Sequence, residues 1–264
     1  MRSWHLASAA SAFALAPVLA VWIACRATTP GPLDRELASC IPPGTRVLAG
    51  IQLDRVRSSP VYQKVPGTAL ALLEPVRNAS SLLLASDGKD LLWAARGNFS
   101  TMPPGASLLN PHLAIGGSPS LVQAATAQHA SGRPGTLALT GQAELIASQP
   151  IWAIARRGTV LPLSGNAANV NRLLAMADYT TLGVELNSGL VLHAAGHCQS
   201  DDQAQHLEET VRGFVSLARA GARDSDLGRL LTGTQIRREG LTVHADATVS
   251  PENIQKLLNS VTAR

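Results

Sequence analysis

Histidines on predicted strands have the clearest capacity for chemistry, because imidazole is both a metal ligand and a proton carrier near neutral pH. His193 and His197 are four residues apart in a strand-like segment, which separates them by about 13 Å. They cannot bind one zinc ion, whose ligands lie about 2 Å from the metal. His193 and His244 are predicted to be neighbours across strands, with Asp246 beside His244. We favour a solvated sheet face for these residues, with a metal site as the weak alternative, and we predict no cofactor.

Two further arrangements bring a nucleophile near the residue types that activate one. Ser118 follows Gly116-Gly117, but the Gly-x-Ser-x-Gly pattern of a hydrolase turn is absent. We therefore predict that Ser118 caps a helix beginning at Pro119. Cys198 adjoins His197, yet adjacent residues of a strand point to opposite faces. The sequence predicts no catalytic residue, and an enzyme without a recognisable motif stays as an alternative.

Turn and cap signals predict the elements that position these residues. Asp87-Gly88 joins two apolar runs, and Glu239-Gly240 joins another pair; both dipeptides favour a β-hairpin. The polar residues at 200–202 predict the start of a helix that continues to about residue 220. Ser250-Pro251 predicts the start of a last helix.

Two correspondences within the chain indicate a duplication. The segment 80–100 aligns without gaps on 180–200, turn against turn, and a strand followed by Ser-Pro occurs at 118–119 and at 250–251. The predicted class is α+β, with two related β-α-β-β(-α) halves at 45–135 and 145–264. In each half, helices cover one face of an antiparallel sheet, as in a ferredoxin-like sandwich. Two generic β-α-β-β units without common origin are the alternative.

Composition fits a folded protein and argues against a nucleic-acid partner. Hydrophobic residues make up 45% of the 264 residues and charged residues 15%, and the formal net charge is +4. Lys and Arg are scattered along the chain, whereas nucleic-acid binding requires a clustered basic surface. We therefore predict no nucleic-acid binding.

The first 24 residues have the pattern of a secretory signal. Arg2 provides a positive start, and no charged residue occurs from Leu6 to Ala24. We assign residues 1–24 to this signal and 25–44 to a tether. An uncleaved membrane anchor is an alternative, because about 19 uncharged residues nearly suffice to span a bilayer.

The end of this segment, Trp22-Ile23-Ala24-Cys25, resembles the lipobox of bacterial lipoproteins. The resemblance implies that Cys25 is lipidated and becomes the mature N-terminus. The chain would then be anchored to a membrane by its lipid, facing the periplasm or the exterior. Ordinary cleavage nearby, for example after Ala20, would instead release a secreted protein.

Two cysteines remain after lipidation, Cys40 and Cys198. In an oxidising compartment they have the opportunity to form a disulfide. The alternative is two separate buried thiols, which is the common state of unpaired cysteine. The sequence favours separate thiols.

Two segments carry a resemblance to uncharacterised bacterial secreted or lipoprotein-like proteins. They are Ile41-Pro42-Pro43-Gly44, which leads into the run 47–51, and the segment 82–89. The resemblance implies no known activity. We expect a non-catalytic envelope protein that presents a sheet face or helix groove to a protein or envelope partner. The alternatives are a carrier of a small apolar ligand or lipid, with a cavity between the halves, and an enzyme.

Overall fold

The computed structural model describes residues 33–64, 76–99, 105–133, 135, 137–161, 170–187, 189–221 and 233–249. The predicted signal segment, Cys25, the first part of the predicted tether (25–32) and the helix predicted after Ser250-Pro251 lie outside the described residues. The rest of the predicted tether, 33–44, belongs to the fold instead, because it contains a short helix at Arg35–Ala38 and the fully buried residues Cys40 and Ile41. The structural statements below concern the described residues alone.

A single antiparallel sheet of ten strands forms the centre of the molecule. Its strands are β1 (Val47–Gln52), β2 (Ala79–Ser86), β3 (Leu91–Gly97), β4 (Ala106–Asn110), β5 (Leu113–Gly117), β6 (Ile151–Arg156), β7 (Tyr179–Glu185), β8 (Leu190–His197), β9 (Gln235–Glu239) and β10 (Thr242–Val249). The α+β class and the antiparallel pairing are therefore confirmed.

The strand order is the same when it is read outward from the centre in either direction. The order is β4-β5-β3-β2-β1-β6-β7-β8-β10-β9, with β1 paired to β6 at the middle. Each set of five places its first strand at the centre and its fourth at the edge. The two sets share one backbone hydrogen-bond ladder, so they do not form two separate sheets.

Cross-strand glycine–tryptophan contacts fix the approach of neighbouring strands at two places. Gly50 of β1 lies opposite Trp152 of β6, and a Cβ at this glycine would be 2.3 Å from the indole. Gly116 of β5 lies in the same way against Trp93 of β3, at 2.5 Å. Only glycine leaves room for the ring to lie across the neighbouring strand.

The described residues contain six helices that accompany the sheet: α1 (Arg35–Ala38), α2 (Leu53–Arg57), α3 (Pro119–Ala130), α4 (Leu137–Glu144), α5 (Val170–Met176) and α6 (Asp201–Gly221). A short 3-10 turn spans Tyr62–Lys64. None of the helices in the described ranges is long and apolar enough to cross a membrane.

Helices pack on both faces of the sheet, which corrects the expectation of one covered face. Leu48 of β1 points to the face where α1, α3 and α4 form a buried cluster with the inner strands. Val243 of β10 points to the other face, where it packs against Leu207 of α6. The reason lies in the strands. Adjacent residues such as Leu48 and Ala49 point to opposite faces of the sheet, and because both are apolar, both faces need a covering layer.

The predicted hairpins occur at both turn signals. Gly88 has a φ of +100°, which glycine adopts at low cost. The Oδ1 atom of Asp87 accepts hydrogen bonds from the backbone N–H groups of Lys89 and Asp90, at 2.8 and 2.9 Å. Both bonds lower the pKa of Asp87, and the bond from Asp90 has the larger effect. A hairpin turn therefore accounts for this acidic segment.

The gapless alignment of 80–100 on 180–200 does not hold in the register. Ser86 pairs with Leu91 across a loop of four residues, 87–90. Glu185 pairs with Val191, which leaves five residues between the paired positions instead of four. An alignment that superposes β2 on β7 therefore displaces β3 from β8 by one residue.

Candidate functional site

The outer strands of the second set carry most of their polar side chains on one face, which we call the histidine face. Residues two apart on a strand share a face, and the register then joins the strands. The face consists of Tyr179, Thr181, Gly183 and Glu185 on β7; Val191, His193, Ala195 and His197 on β8; Thr242, His244, Asp246 and Thr248 on β10; and Gln235, Arg237 and Glu239 on β9.

His193 lies at the centre of this face between two carboxylates. Its Nδ1 atom is 2.8 Å from Oδ1 of Asp246, the residue directly opposite on β10. Its Nε2 atom is 3.7 Å from Oε1 of Glu185 on β7. The ring therefore connects the two strands that flank β8.

The contacts continue from Asp246 to the edge of the sheet. Arg237 of β9 forms an ion pair with Asp246, and its Nε atom lies 2.9 Å from Oε1 of Glu239. Glu239 also approaches His244, with 3.8 Å between Oε2 and Nε2. Six side chains on four strands thus form one continuous network, in which each carboxylate contacts a histidine, an arginine or both. We call it the charge network: Glu185, His193, Asp246, Arg237, Glu239 and His244.

His197 is in a different environment near the inner edge of the face. Its ring stacks on Tyr179, with centroids 4.2 Å apart, and its Nδ1 atom is 3.1 Å from Oγ1 of Thr242. Burial first, and the charge of His244 second, lower the pKa of His197. Burial raises the pKa of Tyr179. Both rings are therefore stabilised in their neutral forms.

A groove of about 250 Å³ adjoins these rings, and we call it the histidine groove. Its floor consists of the small residues Thr181, Gly183 and Ala195, and it is flanked by His193, His197 and His244, by Tyr179, and by Ala194 at its margin. Its wall comes from α4 and the turn that follows, with Gln142, Leu145, Ile146 and Gln149. Gln149 is held in place by a hydrogen bond of 3.3 Å from its Nε2 atom to Oε1 of Glu185.

The corresponding face of the first set of strands is apolar and buried. Leu92, Leu113 and Ile115 on β3 and β5 belong to the cluster under α1, α3 and α4. On the histidine face, only Tyr179 packs against any of the four apolar clusters of the described residues. The two sets of strands, which have the same strand order, therefore differ in polarity on this face.

A second, larger cleft of about 710 Å³ lies beside α1, at the ends of the central strands. Gly50, Leu83 and Trp152 contribute apolar surface, and Arg96 forms an ion pair with Asp34 at its rim. Asp34 also caps α1 by accepting a hydrogen bond of 2.9 Å from the N–H of Glu36. The cleft therefore combines an apolar floor with paired charges.

The structure brings the predicted histidines and acid together in a different arrangement. His193 faces Asp246, while His244 faces Ala195. His193, in the middle of β8, and His197, at its end, lie on one face four residues apart, as the strand spacing predicts. Within the described ranges, no group of three His, Cys, Asp or Glu side chains has the geometry to hold a metal ion.

Ser118 occupies the N-cap position of α3, but its hydroxyl does not form the predicted cap hydrogen bond. The Oγ atom is buried without a hydrogen-bond partner. Pro119 has no N–H to donate, and its fixed φ favours the first turn of a helix without help from the cap side chain.

Cys40 and Cys198 are separate, buried thiols. They belong to different apolar clusters. Burial, the largest effect, raises the pKa of Cys40 to about 11 and also raises the pKa of Cys198. The neutral thiol is therefore the favoured form of both.

Comparison with known proteins identifies relatives in structure only. No protein family model matches the chain, and no curated protein matches its sequence. Crystal forms I and III of TP0453 match with TM-scores of 0.50 and 0.53, at 9% identity in each case. The matches cover 88% and 86% of this chain, and 98% of TP0453 in both forms.

The chain resembles TP0453 in fold. The similarity extends over nearly all of TP0453, so it concerns the large antiparallel sheet and its helices together. At 9% identity the likeness to TP0453 describes the fold alone, and function must be argued from the side chains of this chain.

Most members of the histidine face are not candidates in the sequence, among them Tyr179, Glu185 and Arg237. Their alternation along the strands was the available signal, since Tyr179, Thr181, Gly183 and Glu185 occupy every second position. Only the register shows that these positions lie opposite β8, with Tyr179 facing His197, and that Arg237 faces His244.

Proposed function

We propose that this chain is an exported, non-catalytic protein of the cell envelope that binds a protein partner through its histidine face. The observation that carries the proposal is the charge network, which lies beside an apolar groove on a solvent-accessible face. In the first set of strands, the same face is apolar and is buried by helices.

Stability alone does not account for the charge network. Exposed ion pairs contribute about 0–1 kcal/mol each, and the side chains of His193 and Glu239 are 42% and 63% exposed. An apolar face under a helix, as in the first set of strands, would contribute more to folding. A partner surface explains why paired charges and a groove occur here instead.

Export rests on the N-terminal segment. The uncharged run from Leu6 to Ala24 and the lipobox-like residues before Cys25 support a signal and lipidation of Cys25. A tether would then comprise only the residues before Leu33, because the chain from Leu33 to Ile41 contributes to the buried core. Mass spectrometry of the mature N-terminus tests this part directly. A diacylated Cys25 is expected, whereas an intact Met1 in the cytosolic fraction would contradict export.

Duplication of an ancestral five-stranded unit is part of the same proposal, with halves at 45–135 and 145–264. The repeated strand order supports it. The long helix α6 occurs between β8 and β9, whereas the matching connection in the first half, residues 98–105, is short. Under this proposal the second half changed to carry the binding face, while the first half kept an apolar core.

Site-specific photo-crosslinking in living cells tests the binding face. A photoreactive residue at Gln235, which is exposed on the histidine face, is compared with one at Gln205, which is exposed on α6. We expect a discrete crosslinked species from Gln235, weakened by Asp246→Asn, and none from Gln205. Equal crosslinking from both positions, or none from Gln235, would contradict the proposal.

A ligand carrier is the second candidate, and the cleft beside α1 favours it. The cleft contains both Trp152 and the Arg96–Asp34 pair, so an amphiphilic ligand suits it better than a purely apolar one. Native mass spectrometry of the protein purified from its own host would reveal a bound small molecule. Replacing Ser81, a partly exposed residue that lines the cleft, by Trp should then fill the cleft and reduce the bound fraction.

A further inference from the structure

We infer that the histidine groove binds one large apolar side chain, presented by a positively charged segment of the partner. This inference rests on the proposed function and specifies the chemistry of the partner. It depends on the size of the groove, on its apolar wall and on the charges around it.

The size of the groove fits a single side chain. Small-molecule pockets have volumes of about 300–1,000 Å³, and the histidine groove has about 250 Å³. A Trp, Phe or Leu side chain is the usual anchor residue that one protein inserts into such a depression on another.

The floor and the wall are built for apolar contact. Gly183 keeps the floor low, because a Cβ there would lie 3.1 Å from Cγ of Gln149. Leu145, on the wall, is 65% exposed. An exposed leucine beside a small-residue floor would be covered by an inserted apolar side chain, and that burial contributes favourable free energy.

The surrounding charge is opposite in sign to that of the whole chain. Strands β7 to β10 carry three carboxylates on this face, Glu185, Asp246 and Glu239, against one guanidinium, Arg237. Arg156, opposite Tyr179 on β6, does not line the groove. The formal net charge of the chain is +4, so this acidic region attracts lysine or arginine locally.

Three short peptides test separately whether binding requires the large apolar side chain and whether it requires the positive charge. The probes are the blocked tripeptides Lys-Trp-Lys, Glu-Trp-Glu and Lys-Ser-Lys, each titrated into isotope-labelled protein while NMR signals of Leu145, His193 and His244 are followed. We expect saturable shifts with Lys-Trp-Lys. The other two peptides should bind at least about tenfold more weakly, a difference equivalent to 1.4 kcal/mol.

Matched variants locate the binding. Leu145→Ser should weaken Lys-Trp-Lys binding about tenfold, and Glu239→Gln should weaken it by less and reduce its salt dependence. Leu217→Ser, at a leucine of α6 that is 73% exposed, should leave binding unchanged. A second copy of this chain is the other occupant to test, and sedimentation of the free protein tests it. A concentration-dependent dimer that Leu145→Ser dissociates would assign the groove to that second copy and would overturn the inference.

The failure of this inference is distinguishable from the failure of the proposed function. Equal binding of Glu-Trp-Glu, or unchanged binding by Leu145→Ser, would overturn the inference. So would the absence of shifts at the groove with all three peptides. If crosslinking from Gln235 still occurs in those cases, the partner uses the histidine face with different chemistry.

Discussion

The ring of His197 stacks on the ring of Tyr179, with centroids 4.2 Å apart and planes inclined by 17°. The stack covers one side of the imidazole. Burial lowers the pKa of His197, and the charge of the nearby His244 lowers it further. A histidine that is held neutral by its surroundings makes folding depend on pH.

The first prediction concerns this pH dependence. Because the folded protein has the lower pKa, the unfolded chain takes up the proton first as the pH falls, and the free energy of unfolding decreases below about pH 6.5. His197→Phe keeps a ring on Tyr179 and removes the titration. Urea unfolding at pH 7.5 and 5.5 should therefore show a smaller decrease for His197→Phe than for the natural chain.

The matched control is His206→Phe, at an exposed position of α6. It should show the same decrease as the natural chain. An identical decrease in the His197 variant would contradict a role for this ring.

The second prediction concerns the central pair of strands. Gly50→Ala would place a methyl group 2.3 Å from the indole of Trp152, and such overpacking costs about 1–3 kcal/mol. Urea unfolding should therefore show a lower free energy of unfolding for Gly50→Ala than for the natural chain. The tryptophan fluorescence of the folded variant should also differ from that of the natural chain. Gly213→Ala in α6 is the control, because nothing lies within 4 Å of its added Cβ and alanine favours the helix by about 0.5–1 kcal/mol.

The third prediction compares two leucines. Leu48 is completely buried, so Leu48→Ala should lower the free energy of unfolding by about 2–5 kcal/mol. Leu217 is 73% exposed, and Leu217→Ala should change it by no more than about 0.5 kcal/mol. Similar losses from both would contradict the position of the core on β1.

The fourth prediction separates stability from binding on the histidine face. Asp246→Asn removes the charge that contacts both His193 and Arg237. Because these pairs are partly exposed, the loss of stability should stay below about 1 kcal/mol, while photo-crosslinking from Gln235 decreases strongly. A large loss of stability with intact crosslinking would assign the charge network to folding instead.

The fifth prediction concerns the thiols. Burial raises the pKa of Cys40 to about 11, so iodoacetamide at pH 8 should leave Cys40 and Cys198 unmodified in the folded protein. In urea without reductant both should be alkylated, as measured by mass spectrometry. Protection that persists in urea until a reductant is added would show a disulfide between them.

Local signals were sufficient for the elements that depend on neighbouring residues. The hairpin at Asp87-Gly88 and the helix α6 after Ser200 follow from turn and cap chemistry, and both are confirmed. The N–H of Gln203 donates a hydrogen bond of 3.3 Å to Oγ of Ser200, as a cap requires.

Other elements lacked such signals. The turn between β4 and β5 contains Pro111-His112 without a glycine, and α4 includes Gly141 and lacks a clear apolar stripe. Neither the hairpin β4-β5 nor α4 was predicted. Their stability comes from packing, since Leu113 and Leu139 are both buried in the same cluster.

The candidate site was only partly accessible from the sequence. Alternation on a strand predicts which residues share a face, and it placed His193 and His244 on neighbouring strands. It does not reveal whether a helix covers that face, because covering depends on contacts between distant parts of the chain. The pairing of β1 with β6 is equally non-local, and it joins the two predicted sheets into one.

That central pairing has a consequence for how the molecule comes apart. Along β1 and β6, five residue pairs from Val47↔Ala155 to Ile51↔Ile151 connect the two sets of strands. If either set melted alone, the other would expose a bare row of backbone N–H and C=O groups, a ready template for aggregation. Each half therefore shields the inner border of its neighbour, and the two should melt as one cooperative unit.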